Sequence, residues 1–95
     1  MLVKCLALEW GGEGVRVNAI SPGPIEDSEG MRRLAPSEEM RALIASRLPL
    51  RRLGMTQDIV EAVGFLVSPA ADYVTGLILD CDGGLNVSQG GYGFA

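Results

Sequence analysis

The chain has 95 residues, 47% of them hydrophobic, and a formal net charge of −4. So short a chain with so much apolar content predicts burial against further chain or a partner. The acidic balance leaves no electrostatic footprint for nucleic acid, and no apolar run is long enough for a transmembrane helix. The absence of histidine excludes imidazole catalysis and imidazole metal ligation within these residues.

The opening MLVKCLALEW lacks a basic start and a small-residue cleavage site, so it is not read as a signal peptide. Val3, Leu6, Ala7 and Trp10 make one helical stripe, with Trp10 as a packing anchor. No cap residue precedes it, as in a helix entered partway, and Gly11-Gly12 supplies the stop. Val15 to Ile20 reads as a short strand, apolar on both faces apart from Arg16 and Asn18, which suits a covered parallel sheet. Pro22 and Pro24 donate no ladder hydrogen bond, so Ser21 to Asp27 is predicted as loop.

Ser37 is placed to cap a second helix, with Glu38 and Glu39 in its first turn and Met40, Leu43 and Ile44 as its stripe. Pro49 ends it, and Arg51-Arg52-Leu53-Gly54 is a connector. Thr56 is read as the cap of a third helix, with Asp58 in its first turn and a stripe of Ile59, Ala62, Val63 and Leu66 closed by Ser68-Pro69. Leu77 to Cys81 is a second strand, Asp82-Gly83-Gly84 a structural turn, and SQGGYGFA a loose or partner-dependent tail. Cys5 and Cys81 have no metal-type spacing and read as free, buried thiols of a cytoplasmic protein.

The order α-β-α-α-β describes an α/β protein with a parallel sheet. Two strands cannot form a sheet that covers itself. The remaining strands are expected upstream of Met1 or in another chain, which makes residues 1–95 the C-terminal portion of a larger domain. On physical grounds alone, Pro-Gly-Pro reads as a strand-ending turn and Arg33 as a solvated surface arginine.

Three stretches, LALEWGGEGVRVNAISPGPI, LPLRRLGMTQDIVEAVGFLVS and ADYVTGLILDCDGG, together resemble the C-terminal part of short-chain dehydrogenase/reductases from Leu2 to Gly84. PGPI followed by SEGMRRL looks like the 2,4-dienoyl-CoA and enoyl-CoA reductase branch. The resemblance implies a Rossmann-type doubly wound parallel sheet whose ligands sit beyond the carboxyl ends of the strands. It implies NADP, or NAD, as cofactor, with Pro22, Gly23, Pro24 and Ile25 lining the nicotinamide side. Gly23 allows close approach to a flat ring, the prolines stiffen the loop, and Ile25 can offer its backbone N–H to a carboxamide. Ser28 lies near a threonine that contacts the cofactor in many relatives, displaced by one residue from the commonest pattern.

Arg33 matches an arginine that contacts the acyl-CoA substrate in the dienoyl-CoA reductase branch, with Arg32 able to serve if the register differs by one. Residues 26–54 would be the substrate-binding flap, read here as the least core-like part. The family's phosphate loop and its catalytic serine, tyrosine and lysine have no counterpart in these residues. Lys4 and Tyr73 do not replace them, and the chain alone is expected to be inactive. The third helix and last strand commonly form the subunit contact of a homo-oligomer. Two alternatives remain: a reductase or dehydrogenase of keto or hydroxy substrates, and a non-catalytic association module.

Overall fold

The computed structural model describes residues 1–88, so the expected tail from Gln89 onward lies outside the described residues. Helix α1 spans Leu2–Trp10 without a side-chain cap. Gly11 does not stop it: Gly11 keeps right-handed geometry with φ −58° and ψ −38°. A 3₁₀ turn over Gly11–Glu13 follows, and the left-handed residue is Gly14, with φ 80°.

Strand β1 is Ala19–Pro22, later than the predicted Val15 to Ile20 and including a proline. Val15 to Asn18 stay outside the ladder: Gly76 N–H donates to Val17 O at 2.8 Å, and side chains make the remaining links. Val17 N–H donates to Thr75 Oγ1 at 3.0 Å. The Asn18 amide donates to Val74 O at 3.1 Å and accepts from Leu77 N–H at 3.0 Å. Pro22 is tolerated at the last position, since the following Gly23 N–H donates to Cys81 O at 3.0 Å.

Helix α2, Glu29–Leu34, lies in a segment with no predicted element. Helix α3, Glu38–Ser46, has the expected Ser37 cap, whose oxygen accepts from Met40 N–H. Helix α4 spans Thr56–Val67, but its cap position is Met55, not Thr56. Two carboxylates do the capping: Asp58 accepts from Met55 N–H at 2.8 Å, and Asp27 accepts from Thr56 N–H at 2.9 Å. Strand β2, Ile78–Cys81, runs parallel to β1 with Ala19 opposite Ile78 and Pro22 opposite Cys81. The Asp82-Gly83-Gly84 turn opens a short helix α5, Leu85–Ser88. Asp82 holds it by accepting from Gly84 N–H at 3.0 Å and Asn86 N–H at 2.9 Å.

The expected burial is reversed in part. The core cluster is Met31, Ala35, Leu48 and Leu53, with Ile44, Ala45 and Leu85 packed on it. All but Leu85 belong to the segment read as least core-like. An isolated parallel bridge between Ile25 and Gly54 closes that segment at its neck. Glu26 N–H donates to Gly54 O at 2.7 Å, and Gly54 N–H to Pro24 O at 2.9 Å. Trp10 is 41% exposed and anchors little. Cys5 is exposed, since it lies off the face of α1 that buries Ala7, whereas Cys81 is half-buried; both are free thiols.

Candidate functional site

The carboxyl ends of β1 and β2 lie side by side, and the chain leaves β1 through Gly23, Pro24 and Ile25. The structure therefore brings Pro22, Gly23, Pro24 and Ile25 together at the edge where parallel α/β sheets bind ligands. A cleft of about 380 Å³ opens there, with Pro24, Ile25, Arg52, Asp58, Cys81 and Asp82 among its walls.

Gly23 has a reason in the protein itself. A Cβ at this position would stand 2.6 Å from Asp82 Cα and 2.7 Å from Asp82 Cβ. Only glycine lets the exit of β1 lie so close to the exit of β2. Ser28 is also occupied: its hydroxyl donates to Ile25 O at 2.8 Å and accepts from Met31 N–H at 3.1 Å. It caps α2 and fixes the far side of the loop. Ile25 N–H has no hydrogen-bond partner among the described residues. Its neighbours Pro24 and Glu26 are the ones bonded to Gly54, and the alternation of extended backbone turns Ile25 N–H the other way.

Arg52 and Asp58 brace the cleft wall. Two guanidinium nitrogens reach the two carboxylate oxygens at 3.0 and 3.4 Å. The Arg52 contact, then the Met55 N–H, hold the Asp58 carboxyl below the usual carboxylate range. Thr56 does the same for Asp27, first through its backbone N–H and then through its hydroxyl. Sequence reasoning passed over this brace, treating Arg52 as connector and Asp58 as a helix-start acid. The available signal was a basic pair six residues ahead of an acid across a helix start.

Arg33 stands apart. Its side chain is 80% exposed and pairs with Glu29 at 3.3 Å, while Arg32 reaches the same carboxylate at 3.7 Å. Neither lines the 380 Å³ cleft. Charge is also distributed more unevenly than the net value indicates. Arg32, Arg33, Arg41, Arg47, Arg51 and Arg52, six of the eight cations, lie in residues 26–54. With five carboxylates that segment carries +1, and the rest of the chain −5.

The paired parallel strands, with helices between them and loops at their carboxyl ends, define an α/β fold of Rossmann type. A family profile described as Enoyl-(Acyl carrier protein) reductase matches residues 1–86. The chain belongs to this family of short-chain dehydrogenase/reductase oxidoreductases. It is 48% identical over 84 residues to a peroxisomal 2,4-dienoyl-CoA reductase of Saccharomyces cerevisiae, covering 88% of this chain and 28% of the relative. A peroxisomal 2,4-dienoyl-CoA reductase of Danio rerio is 47% identical over 83 residues, covering 87% of this chain and 28% of that protein. A candidate NAD(P)-dependent gluconate 5-dehydrogenase from Beutenbergia cavernae, solved with NADP, superposes with a TM-score of 0.83 at 40% identity, over 92% of this chain and 34% of that one. A 4-hydroxyisoleucine dehydrogenase solved with NADH and succinate gives 0.78 at 36% identity, over 87% and 34%. The chain thus spans about a third of the length of the relatives it matches.

Proposed function

We propose that these residues form the nicotinamide wall and substrate flap of an oxidoreductase that reduces an unsaturated acyl-CoA, of the 2,4-dienoyl-CoA or enoyl-CoA type, with NADPH or NADH. The observation that carries the reading is the Pro22 to Ile25 loop at the carboxyl end of β1, with an unpaired Ile25 N–H beside a cation-rich flap. The residues fit a nicotinamide. Pro24 and Ile25 offer an apolar wall to a flat ring, and the Ile25 N–H is free for the carboxamide oxygen. When bound, the dinucleotide supplies the hydride. These residues orient the ring and exclude water from one side of it, and none of them is assigned as a proton donor.

In the same reading, residues 1–95 are the C-terminal portion of one Rossmann-type domain, with 26–54 as the flap. Ser28 supports the cofactor loop through Ile25 O, and Arg33 contacts acyl-CoA from the outer face of α2. Leu66 of the expected stripe is buried, so the exposed face of α4 carrying Val60, Val63 and Val67, with β2, makes the contact of a homo-oligomer. Cytoplasmic residence rests on the two free thiols, and no helix among the described residues is long and apolar enough to cross a membrane. The yeast and zebrafish relatives are peroxisomal by name, and imaging of a tagged protein in cells separates the two compartments. A keto or hydroxy substrate is the second reading, favoured by the sugar-acid and hydroxy-amino-acid dehydrogenases among the structural neighbours.

The deciding assay follows NADPH and NADH oxidation by the polypeptide that carries these residues, with 2,4-hexadienoyl-CoA and with a 3-ketoacyl-CoA. Faster turnover of the dienoyl thioester is expected. Turnover of the keto substrate alone would transfer the assignment to the second reading.

A further inference from the structure

A second cleft, of about 520 Å³, adjoins the first. The Ile25–Gly54 bridge stands between them: Ile25 and Gly54 line the first, and their neighbours Glu26 and Leu53 the second. Arg52 lines both. Arg41, Arg51 and Glu38 complete the charged lining of the second.

Arg41 and Arg51 are held in place without being neutralised. Arg41 donates to Ala35 O at 2.9 Å, and Arg51 donates to Ser46 O. Among the described residues neither has a carboxylate within ion-pair distance. Each guanidinium has five N–H donors, so most of each fork remains open. Arg52 is committed to Asp58 and frames the cleft. Glu26 and Glu38 share the lining without pairing with either arginine.

Arg51 carries a second, independent mark. Its φ is 60°, the one positive value at a non-glycine among the described residues. That backbone region favours glycine, and a bulky residue held in it marks a position fixed by its surroundings, often at a ligand site. An arginine in a glycine-type position, lining a cleft in a segment of net charge +1, fits an anionic ligand.

We infer that Arg41 and Arg51 bind the phosphate end of the substrate's pantetheine arm, while the acyl end lies along Pro24 and Ile25 in the adjoining cleft. This rests on the acyl-CoA reading above and assigns two residues to it. Guanidinium forks suit phosphate oxygens, which accept paired N–H donors.

The test is calorimetric titration of CoA and of pantetheine into the polypeptide carrying these residues, as wild type, Arg51→Gly and Arg41→Ala. Glycine adopts the left-handed conformation freely, so Arg51→Gly keeps the fold while removing the charge. CoA is expected to bind at least about tenfold more tightly than pantetheine, and each variant to reduce that ratio by roughly tenfold, the scale of a charge-assisted contact. Equal affinities, or a ratio that neither variant moves, would overturn the inference. So would a loss confined to NADPH, which would give the cleft to the dinucleotide's phosphates. Reduction of dienoyl-CoA with an unmoved ratio defeats this inference alone. Turnover of keto substrates with no CoA binding defeats the acyl-CoA reading as well.

Discussion

Residues 26–54 and the two-stranded sheet that carries them differ in burial and in charge. The segment 26–54 is closed at its neck by the Ile25–Gly54 bridge, encloses Met31, Ala35, Leu48 and Leu53, and carries +1. The elements around it carry −5 and leave Leu8, Val60, Phe65, Val67 and Ile78 exposed. Both regions leave apolar side chains in water, Leu34, Leu43 and Leu50 among them in residues 26–54, and the elements around that segment bury Ala7, Leu66 and Ala71; among the described residues the contiguous buried cluster lies in the segment. The lesson concerns where burial comes from. Short helices capped by Ser28 and Ser37 can fold their apolar sides onto each other locally. A parallel sheet and its helices need neighbours on both faces before their apolar residues leave water.

The strongest way to break this contrast is Leu48→Ala. Leu48 is 1% exposed, and emptying its site is expected to cost about 2–5 kcal/mol. Hydrogen exchange should rise across residues 26–54 while the β1–β2 amides stay protected. Loss of protection in both regions together would show that the segment is not a separate unit.

Gly23→Ala strikes the sheet side. Its Cβ would meet Asp82 backbone at 2.6 Å, and the forced shift is expected to cost about 1–3 kcal/mol. Chemical denaturation measures the loss, and amide shifts near Asp82 should move with it. Wild-type stability in this variant would mean that the two strand exits can separate freely.

Acid should loosen the joint between the two regions. Asp58 and Asp27 have folded-state pKa values lowered by Arg52 and by Thr56 N–H respectively. A lowered folded value contributes stability that is complete above the ordinary value of about 3.9 and is lost as pH falls through the lowered one. Protection of Met55 and Thr56 N–H, taken relative to the intrinsic exchange rate at each pH, should therefore fall below that ordinary value. In Asp27→Asn the acid response of Thr56 should shrink while that of Met55 remains. An unchanged response at both amides would remove the clasp.

Gly64→Ala should act in the opposite direction. It lies inside α4 with nothing within 4 Å of an added Cβ, so a gain of about 0.5–1 kcal/mol is expected, read as a rise in the thermal midpoint. A fall in oligomer mass in the same variant would locate the proposed subunit contact on α4. Arg33→Ala should change stability least, within about 0.5 kcal/mol, because its pair with Glu29 is exposed. If Arg33 touches substrate as proposed, KM for acyl-CoA rises more than KM for NADPH, and equal changes would argue against that role.

Much of the fold could be read from the residues in order. Ser37 as a cap, the helix ending at Ser68-Pro69, a strand ending at Cys81 and the Asp82 turn all rest on short-range chemistry, and all appear in the structure. The exit from β1 was legible in part: a proline does stand at the strand's end, but the strand runs on through Ser21 and Pro22, which were read as loop. Helix α2 was not, because Gly30 and the two arginines obscure its apolar side. The cap of α4 was missed because one of its carboxylates, Asp27, comes from 29 residues away.

Sequence by itself determined the class of fold, the family and the loop at the end of β1, because these depend on residue types at fixed local spacing. Tertiary structure alone decided which residues share the clefts. Arg52 meets Asp58, Gly23 makes room for Asp82, and Arg41 and Arg51 face the same space. These are meetings between segments far apart in the chain, and they exist only once the strands have paired and the neck of the segment 26–54 has closed.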